Sequence, residues 1–202
     1  NVSVEISDDQ LSERYLGIRV EGVKIGPSPK WLQNRLKAID IEPKNNVVDA
    51  TNYILHSVGQ PVHAFDAEQL TGKVSVRLAK LGEKILLLDG AEKELNENDI
   101  VIADEKGPAA IAGVMGGKLS AVSENTTNLF LEIAHFHPGF VRKTAKRHVI
   151  NTDASFRFER GIDKANIELC GRALADLIIQ IAGGTVVAFA DVYPKPFVAK
   201  VI

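Results

Sequence analysis

Residues 73–104, KVSVRLAKLGEKILLLDGAEKELNENDIVIAD, hold several strand signals in succession with no helix between them. VSVRLA alternates with period two, ILLL is a short apolar run, Asp89-Gly90 before AEKEL is a hairpin signal, and IVIAD is a further apolar run. Outward from this block the strands continue. AIAGVMGG (110–117) reads as a strand breaking into a glycine turn, and Asn128–Phe136 as another strand. On the N-terminal side, Tyr15–Val20 and Val23–Ile25 are the best strand candidates of the first 26 residues, and VVAFADVYP supplies a last strand or two at the far end.

Helices lie on both sides of that block. Ser28 as N-cap and Pro29 at the first helical position predict a helix through Asp40 with Trp31, Leu32, Leu36 and Ile39 on one face. Asp49 is the expected cap of a second, short helix whose apolar face is Tyr53, Ile54 and Val58 and whose stop is Gly59. Pro138 and RKTAKRH predict a short helix, and Asp163 caps another that ends at Gly183-Gly184. Strands and helices thus mix without a steady βαβ alternation. The expected fold is α+β, with mixed or antiparallel sheets in a sandwich-like core and flanking helices.

Composition narrows the classes of function. A chain of 202 residues, 45% hydrophobic and 25% charged, buries a real core, and a formal net charge of -2 argues against a protein that coats nucleic acid generally. Cys170 is the single cysteine, which excludes an internal disulfide and a cysteine-based zinc site and fits a reducing cytosol. Its neighbours Ile167, Leu174, Leu177, Ile178 and Ile181 recur at helical spacing, so it is expected in a core. No apolar run approaches the roughly 18 residues that span a bilayer, and the N-terminus does not read as a signal peptide, so no membrane is expected. With no initial Met and an apolar end, VYPKPFVAKVI, the chain is expected to be a piece of a longer polypeptide.

Chemistry concentrates in a few places. In VDATNYILHSVGQPVHAFD (48–66), Pro61 forces the backbone out of helix, so Gln60, Val62 and His63 lie on an extended or turning segment. His63 either hydrogen-bonds nearby backbone or serves a site. Gly113, Gly116 and Gly117 either bring bare backbone to a ligand or let strands pack closely; the phosphate-loop reading fails because Gly117-Lys118 is followed by Leu119. In NLFLEIAHF, alternation puts Glu132 on the face of Phe130, Ala134 and Phe136, where a carboxylate needs either a structural partner, often an Arg, or a ligand hydroxyl or amine. His135 and His137 suggest a metal pair without an obvious third ligand, and six Lys or Arg between Arg142 and Arg160 against Asp153 and Glu159 suggest a grip on RNA phosphates or a solvated face. No GxSxG elbow, Cys-His pair or paired-acid motif appears, so water is the expected nucleophile of any hydrolysis.

DATNYILHSVGQPVHAFD (49–66), LLLDG (86–90), IVIAD (100–104), AIAGVMGG (110–117), LFLEIAHF (129–136) and RHVINTDASFRFERGID (147–163), in this order, resemble the B3/B4 region of the bacterial phenylalanyl-tRNA synthetase beta subunit. The resemblance covers nearly the whole chain. It implies a domain over residues 1–190, with 191–202 beginning the connection to the next domain of a parent chain. It implies hydrolytic proofreading of tyrosine mischarged onto phenylalanine tRNA, with His63, Thr152 and Gly116 in the catalytic part and Glu132, Pro61 and Ala154 contacting substrate, Glu132 recognising the tyrosine hydroxyl. The physical logic is that an apolar pocket rejects an isostere with an added hydroxyl by only ~100-fold, whereas a buried acceptor selects for it. For the fragment the resemblance implies no cofactor. For the parent it implies ATP and Mg2+, an alpha subunit in an alpha2beta2 heterotetramer that carries the aminoacylation site, and a cytoplasmic location. One departure is that an Arg present in some members shortly before VVDATNY is absent, where this chain has Glu42 in IEPKNN. Two alternatives stand beside this reading: a non-catalytic scaffold or tRNA-contacting module of the synthetase, and an unrelated metal-dependent hydrolase using His135 and His137.

Overall fold

A computed structural model of the chain describes residues 3–196. In chain order the elements are β1 (Val4–Ile6), β2 (Arg14–Glu21), α1 (Lys30–Lys37), α2 (Asn46–Val58), β3 (Val62–Asp66), β4 (Val74–Leu78), β5 (Lys84–Leu86), β6 (Glu92–Glu94), β7 (Ile100–Ala103), β8 (Pro108–Ile111), β9 (Met115–Gly116), β10 (Asn128–His135), α3 (Pro138–His148), α4 (Asp153–Phe158), α5 (Ile167–Ala182) and β11 (Thr185–Val192). One sheet runs β11-β2-β10-β3 and is antiparallel throughout. A second runs β1-β4-β7-β8-β9, parallel only between β1 and β4, and β5-β6 form a separate hairpin.

The alternation of β2 and β10 dictates a layered core. Leu16, Ile18, Val20, Leu129, Leu131 and Ile133 point to one face, where they meet Val47, Ala50 and Ile54 of α2 and Cys170, Leu174 and Ile178 of α5. Tyr15, Phe130 and Ala134 point to the other, with Phe65 of β3, and meet Val76, Ile100, Ile102 and Ile111 of the second sheet. The architecture is therefore α+β, a sandwich of two sheets with helices flanking one of them. Cys170 is buried in that helix–sheet layer, where burial raises its thiol pKa.

Local readings differ from the structure where tertiary partners intervene. Asn45, not Asp49, caps α2 by accepting from the Val48 N–H; Asp49 sits in the first turn and accepts from the Lys44 N–H and the Ser28 hydroxyl. Ser28 is thereby drawn away from α1, which is capped at Pro29 without a side-chain bond and ends at Lys37. Leu32 and Leu36 are buried on α1 while Trp31 and Ile39 are exposed, and on α2 Val58 is exposed where Val47 and Ala50 are buried. Val23–Ile25 forms no strand, because the N–H groups of Val23 and Lys24 donate to Thr127 and Ala182 on different segments. ILLL alternates instead of burying a run: Ile85 and Leu87 face the core and Leu88 is exposed. Asp163 caps a short 3-10 turn ahead of α5, and Gly59 stops α2 in the left-handed conformation. β11 continues through Val192, and of the expected connection, residues 197–202 lie outside the described residues.

Two features fix α3 beside the sandwich. The fully buried carboxylate of Asp99 accepts from the Asn96 N–H, from the Thr144 hydroxyl and from Arg147, and pairs with the His148 ring at 2.6 Å. The helix then ends on Val149, whose φ of 56° is left-handed although its side chain is branched and 90% exposed. That conformation costs an L-residue about 1–2 kcal/mol. Val149→Gly is therefore expected to stabilise the fold by about 0.5–1 kcal/mol after the entropy that glycine loses, measured by urea denaturation. No gain would mean that the strain is relieved by a contact of the valine.

Candidate functional site

The site grows from the centre of β10. Register places Glu132 directly between His63 on β3 and Gly17 on β2, all in the sheet face that looks toward the second sheet. Glu132 is 7% exposed, and among the described residues its hydrogen-bond partner is the phenol of Tyr15, which donates to Oε2 at 2.9 Å. Burial pushes the Glu132 carboxyl up to about 7, and the Tyr15 bond pulls it down by less. Tyr15 itself is held well above the ordinary phenol range by burial and by the adjacent carboxylate. The carboxylate thus has a structural partner, a Tyr where an Arg was the commoner expectation. No hydrogen bond reaches its Oε1 among the described residues.

His63 faces this acid from the neighbouring strand. Its ring meets Phe65 edge-on with centroids 4.4 Å apart, and its Nε2 is shielded from solvent without a hydrogen-bond partner. Burial alone lowers its pKa to about 4, so the imidazole is neutral at physiological pH. The strand that carries it is pinned at its start. Pro61 is buried, and the Gln60 side chain donates to the carbonyls of Pro61 and Ala134, tying the entry of β3 to β10.

The glycine turn serves three purposes. Gly113 adopts a positive φ, and a Cβ on Gly117 would strike the Ala109 carbonyl at 2.5 Å, so these two shape the turn and pack strands. Gly116 lies against the site, where a Cβ would meet His63 Cε1 at 2.5 Å and Nε2 at 2.8 Å. The need for glycine there is close approach, not backbone conformation. Gly116→Ala is expected to push the His63 ring out of place and cost about 1–3 kcal/mol of stability. Imidazole resonances and urea denaturation would register both changes, and an unmoved His63 resonance would contradict the packing described.

Thr152 and Ala154 enter through α4, a helix not anticipated from the sequence. Thr152 is its N-cap in a capping box with Ser155; its hydroxyl accepts from the Ser155 N–H and donates to the Val114 carbonyl at 2.9 Å. The proton of that hydroxyl is committed, and the bond ties α4 to the turn that ends in Gly116. Ala154 packs half-buried against the core between the sheets. The fold thus brings Glu132, His63 and Gly116 together directly, and joins Thr152 to them through Val114.

The other candidates separate from this group. His137 is exposed, and its ring caps α3 by accepting from the Gly139 N–H, while His135 is buried at the end of β10 with Nδ1 unpartnered. Among the described residues no group of three or more His, Cys, Asp or Glu is placed to hold a metal ion, and no helix is long and apolar enough to cross a membrane. Tyr15 is the site residue that sequence reasoning missed. Its signal was present, a residue with one polar end on an otherwise apolar strand, but its partner lies 117 positions away.

Comparison with known proteins adds a family to this geometry. Residues 11–183 match the model of the B3/4 domain. The chain is 48% identical over 203 residues to the phenylalanine–tRNA ligase beta subunit of Carboxydothermus hydrogenoformans, covering 100% of this chain and 25% of that protein. It is also 48% identical over 187 residues to the Bacteroides fragilis beta subunit, covering 92% of this chain and 23% of the relative. The chain therefore spans about a quarter of the length of the curated relatives it matches. Among solved structures, an N-terminal fragment of the phenylalanyl-tRNA synthetase beta subunit from Pyrococcus horikoshii superposes with a TM-score of 0.61 at 13% identity, over 92% of this chain and 50% of that one, a likeness of fold.

Proposed function

Because this chain belongs to the B3/4 domain family, we propose that it proofreads for a phenylalanine–tRNA ligase, hydrolysing the ester of tyrosine mistakenly attached to phenylalanine tRNA. The observation that carries the reading is Glu132, a buried carboxylate beside the unpartnered Nε2 of a neutral His63. A tyrosine phenol entering here donates to the free Oε1 of Glu132, and a phenylalanine ring leaves that acceptor unpaired. In this reading Pro61, buried at the entry of β3, and Ala154, half-buried on α4, contact the substrate.

The chemistry assigned to the chain is addition of water to the ester carbonyl followed by loss of the ribose oxygen. Water's oxygen forms the new bond to the carbonyl carbon, the carbon–ribose oxygen bond breaks, and the proton passes to the departing ribose oxygen. His63, neutral at physiological pH, orients that water through Nε2, and the lone pair left on the Thr152 hydroxyl holds it from α4. Gly116, having no side chain, lets the His63 imidazole pack directly against β9 and so holds the ring in place for that role. In the whole enzyme we place ATP and Mg2+ at a synthetic site outside this chain, an alpha subunit as partner in an alpha2beta2 tetramer, tRNA as the substrate carrier, and the cytoplasm as the setting.

A second reading is favoured by one observation, since Tyr15 already satisfies one oxygen of Glu132. In it the region is a scaffold and tRNA-contacting module without hydrolysis. The deciding experiment presents tyrosine esterified to phenylalanine tRNA to the intact enzyme and follows tyrosine release, with the phenylalanine ester as control. Selective release supports proofreading; an intact tyrosine ester with an active synthetic site supports the scaffold.

A further inference from the structure

The face of α3 turned away from Asp99 carries Arg142, Lys143 and Lys146, all exposed and none with an acidic partner among the described residues. Beside it α4 holds Phe156 out of the core at 49% exposure, with the Arg160 guanidinium 3.6 Å from the ring centroid. Between the helices lies a groove of about 560 Å³, with Arg142 and Lys146 on one wall, Phe156 and Arg160 on the other and Val149 on its rim. Among the described residues that line it, the single acid Glu159 is engaged by Arg160. Phe156 and Arg160 also line a second depression of about 330 Å³, which reaches Gly59 and Gln60 at the entry of β3. A continuous surface therefore leads from unpaired cations, across an aromatic ring, to the strand that presents His63.

We infer that this surface binds a single-stranded RNA end, with Arg142 and Lys146 on its phosphates and a base stacked on Phe156. Local charge selects the partner: from Arg142 to Arg160 six Lys or Arg face two acids, in a chain whose overall formal charge is -2. The exposed ring selects single strands, because unstacked bases use aromatic and guanidinium planes that a paired helix cannot reach. An acidic peptide would use the cations and leave the ring and its stacked guanidinium without a role. The inference rests on the proofreading reading only for why an RNA end would approach β3.

The test is fluorescence anisotropy of a short labelled single-stranded RNA with this chain, against a duplex of the same sequence. The single strand is expected to bind preferentially, and Phe156→Ala to weaken it about 5-fold or more while Phe156→Trp retains it. Arg142→Gln and Lys146→Gln should each reduce the slope of log affinity against log salt by about 0.7. Thermal melts confirm that each variant is folded, and Phe156→Trp decides the matter if Phe156→Ala is not. Absence of binding by the wild type at low salt, equal binding of the duplex, or indifference to Phe156 or to both cations overturns the inference. Glu132→Ala separates the two readings, since it should leave RNA binding intact while removing tyrosine release. Glu132-dependent release with unaltered binding in the surface variants sinks the surface alone, and surface-dependent binding with the tyrosine ester left intact by the wild-type enzyme sinks the proofreading alone.

Discussion

Glu132→Ala is expected to lower the selectivity of tyrosine over phenylalanine release by at least about 100-fold in the intact enzyme. The size of the effect follows from where the acid sits. Glu132 stands on the sandwich face of β10, among Phe130, Ala134 and Phe65, with Tyr15 on Oε2. A ligand ring in such surroundings gains the same apolar contact whether or not it carries a hydroxyl, so the hydroxyl's acceptor supplies the difference. Removing the carboxylate leaves the tyrosine phenol without that acceptor, and leaves the Tyr15 phenol, fully buried, without its partner as well. Some loss of stability must therefore accompany the change, and Glu132→Gln, which keeps the shape and one carbonyl acceptor, controls for it. Retention of full selectivity by folded Glu132→Ala would transfer the recognition of the hydroxyl to another residue of the site.

Much of this site could be read from local pattern, and what escaped did so for identifiable reasons. LFLEIAHF alternates strictly, so the face of Glu132 and its apolar company were legible; the structure puts Phe130 and Ala134 on that face. The extended presentation of His63 followed from Pro61 in the same way, and β3 begins at Val62. What sequence could not supply was the register that sets His63 directly opposite Glu132, or the fit of Gly116 against its ring, because both depend on strands brought together from distant segments. The helix starts were missed by a different route. Asn45 and Asp49 are both good caps by residue type, and the choice between them was made by Ser28 and Lys44, whose hydroxyl and N–H occupy Asp49. For α4, six residues long, there was too little periodicity to announce a helix, although Thr152 and Ser155 form its capping box.

The paired placement of Glu132 and His63 also predicts how stability depends on pH. Glu132 is raised from 4.5 to about 7, so between those values the folded chain keeps a proton that the unfolded chain has released. Its contribution is greatest in acid, falls as pH rises from about 4.5 to about 7, and is lost above. His63 is lowered from 6.5 to about 4, so between those values the unfolded chain holds the extra proton. Its contribution is fully present above 6.5 and is lost as pH falls toward 4. The two windows overlap with opposite slopes, and in the wild type they largely offset each other. Single variants should unmask each slope. Glu132→Gln is expected to make stability rise with pH through the His63 window, and His63→Gln to make it fall through the Glu132 window, each by on the order of 3 kcal/mol. Urea denaturation at a series of pH values measures this, and the difference between wild type and variant cancels groups common to both, such as Glu13 and Glu83, whose carboxyls are lowered. Flat difference curves would mean that water reaches both groups in the folded chain. The same burial that produces these slopes keeps His63 neutral and Glu132 poised between acceptor and donor near neutrality, the protonation states that recognition of a phenol and orientation of a water require.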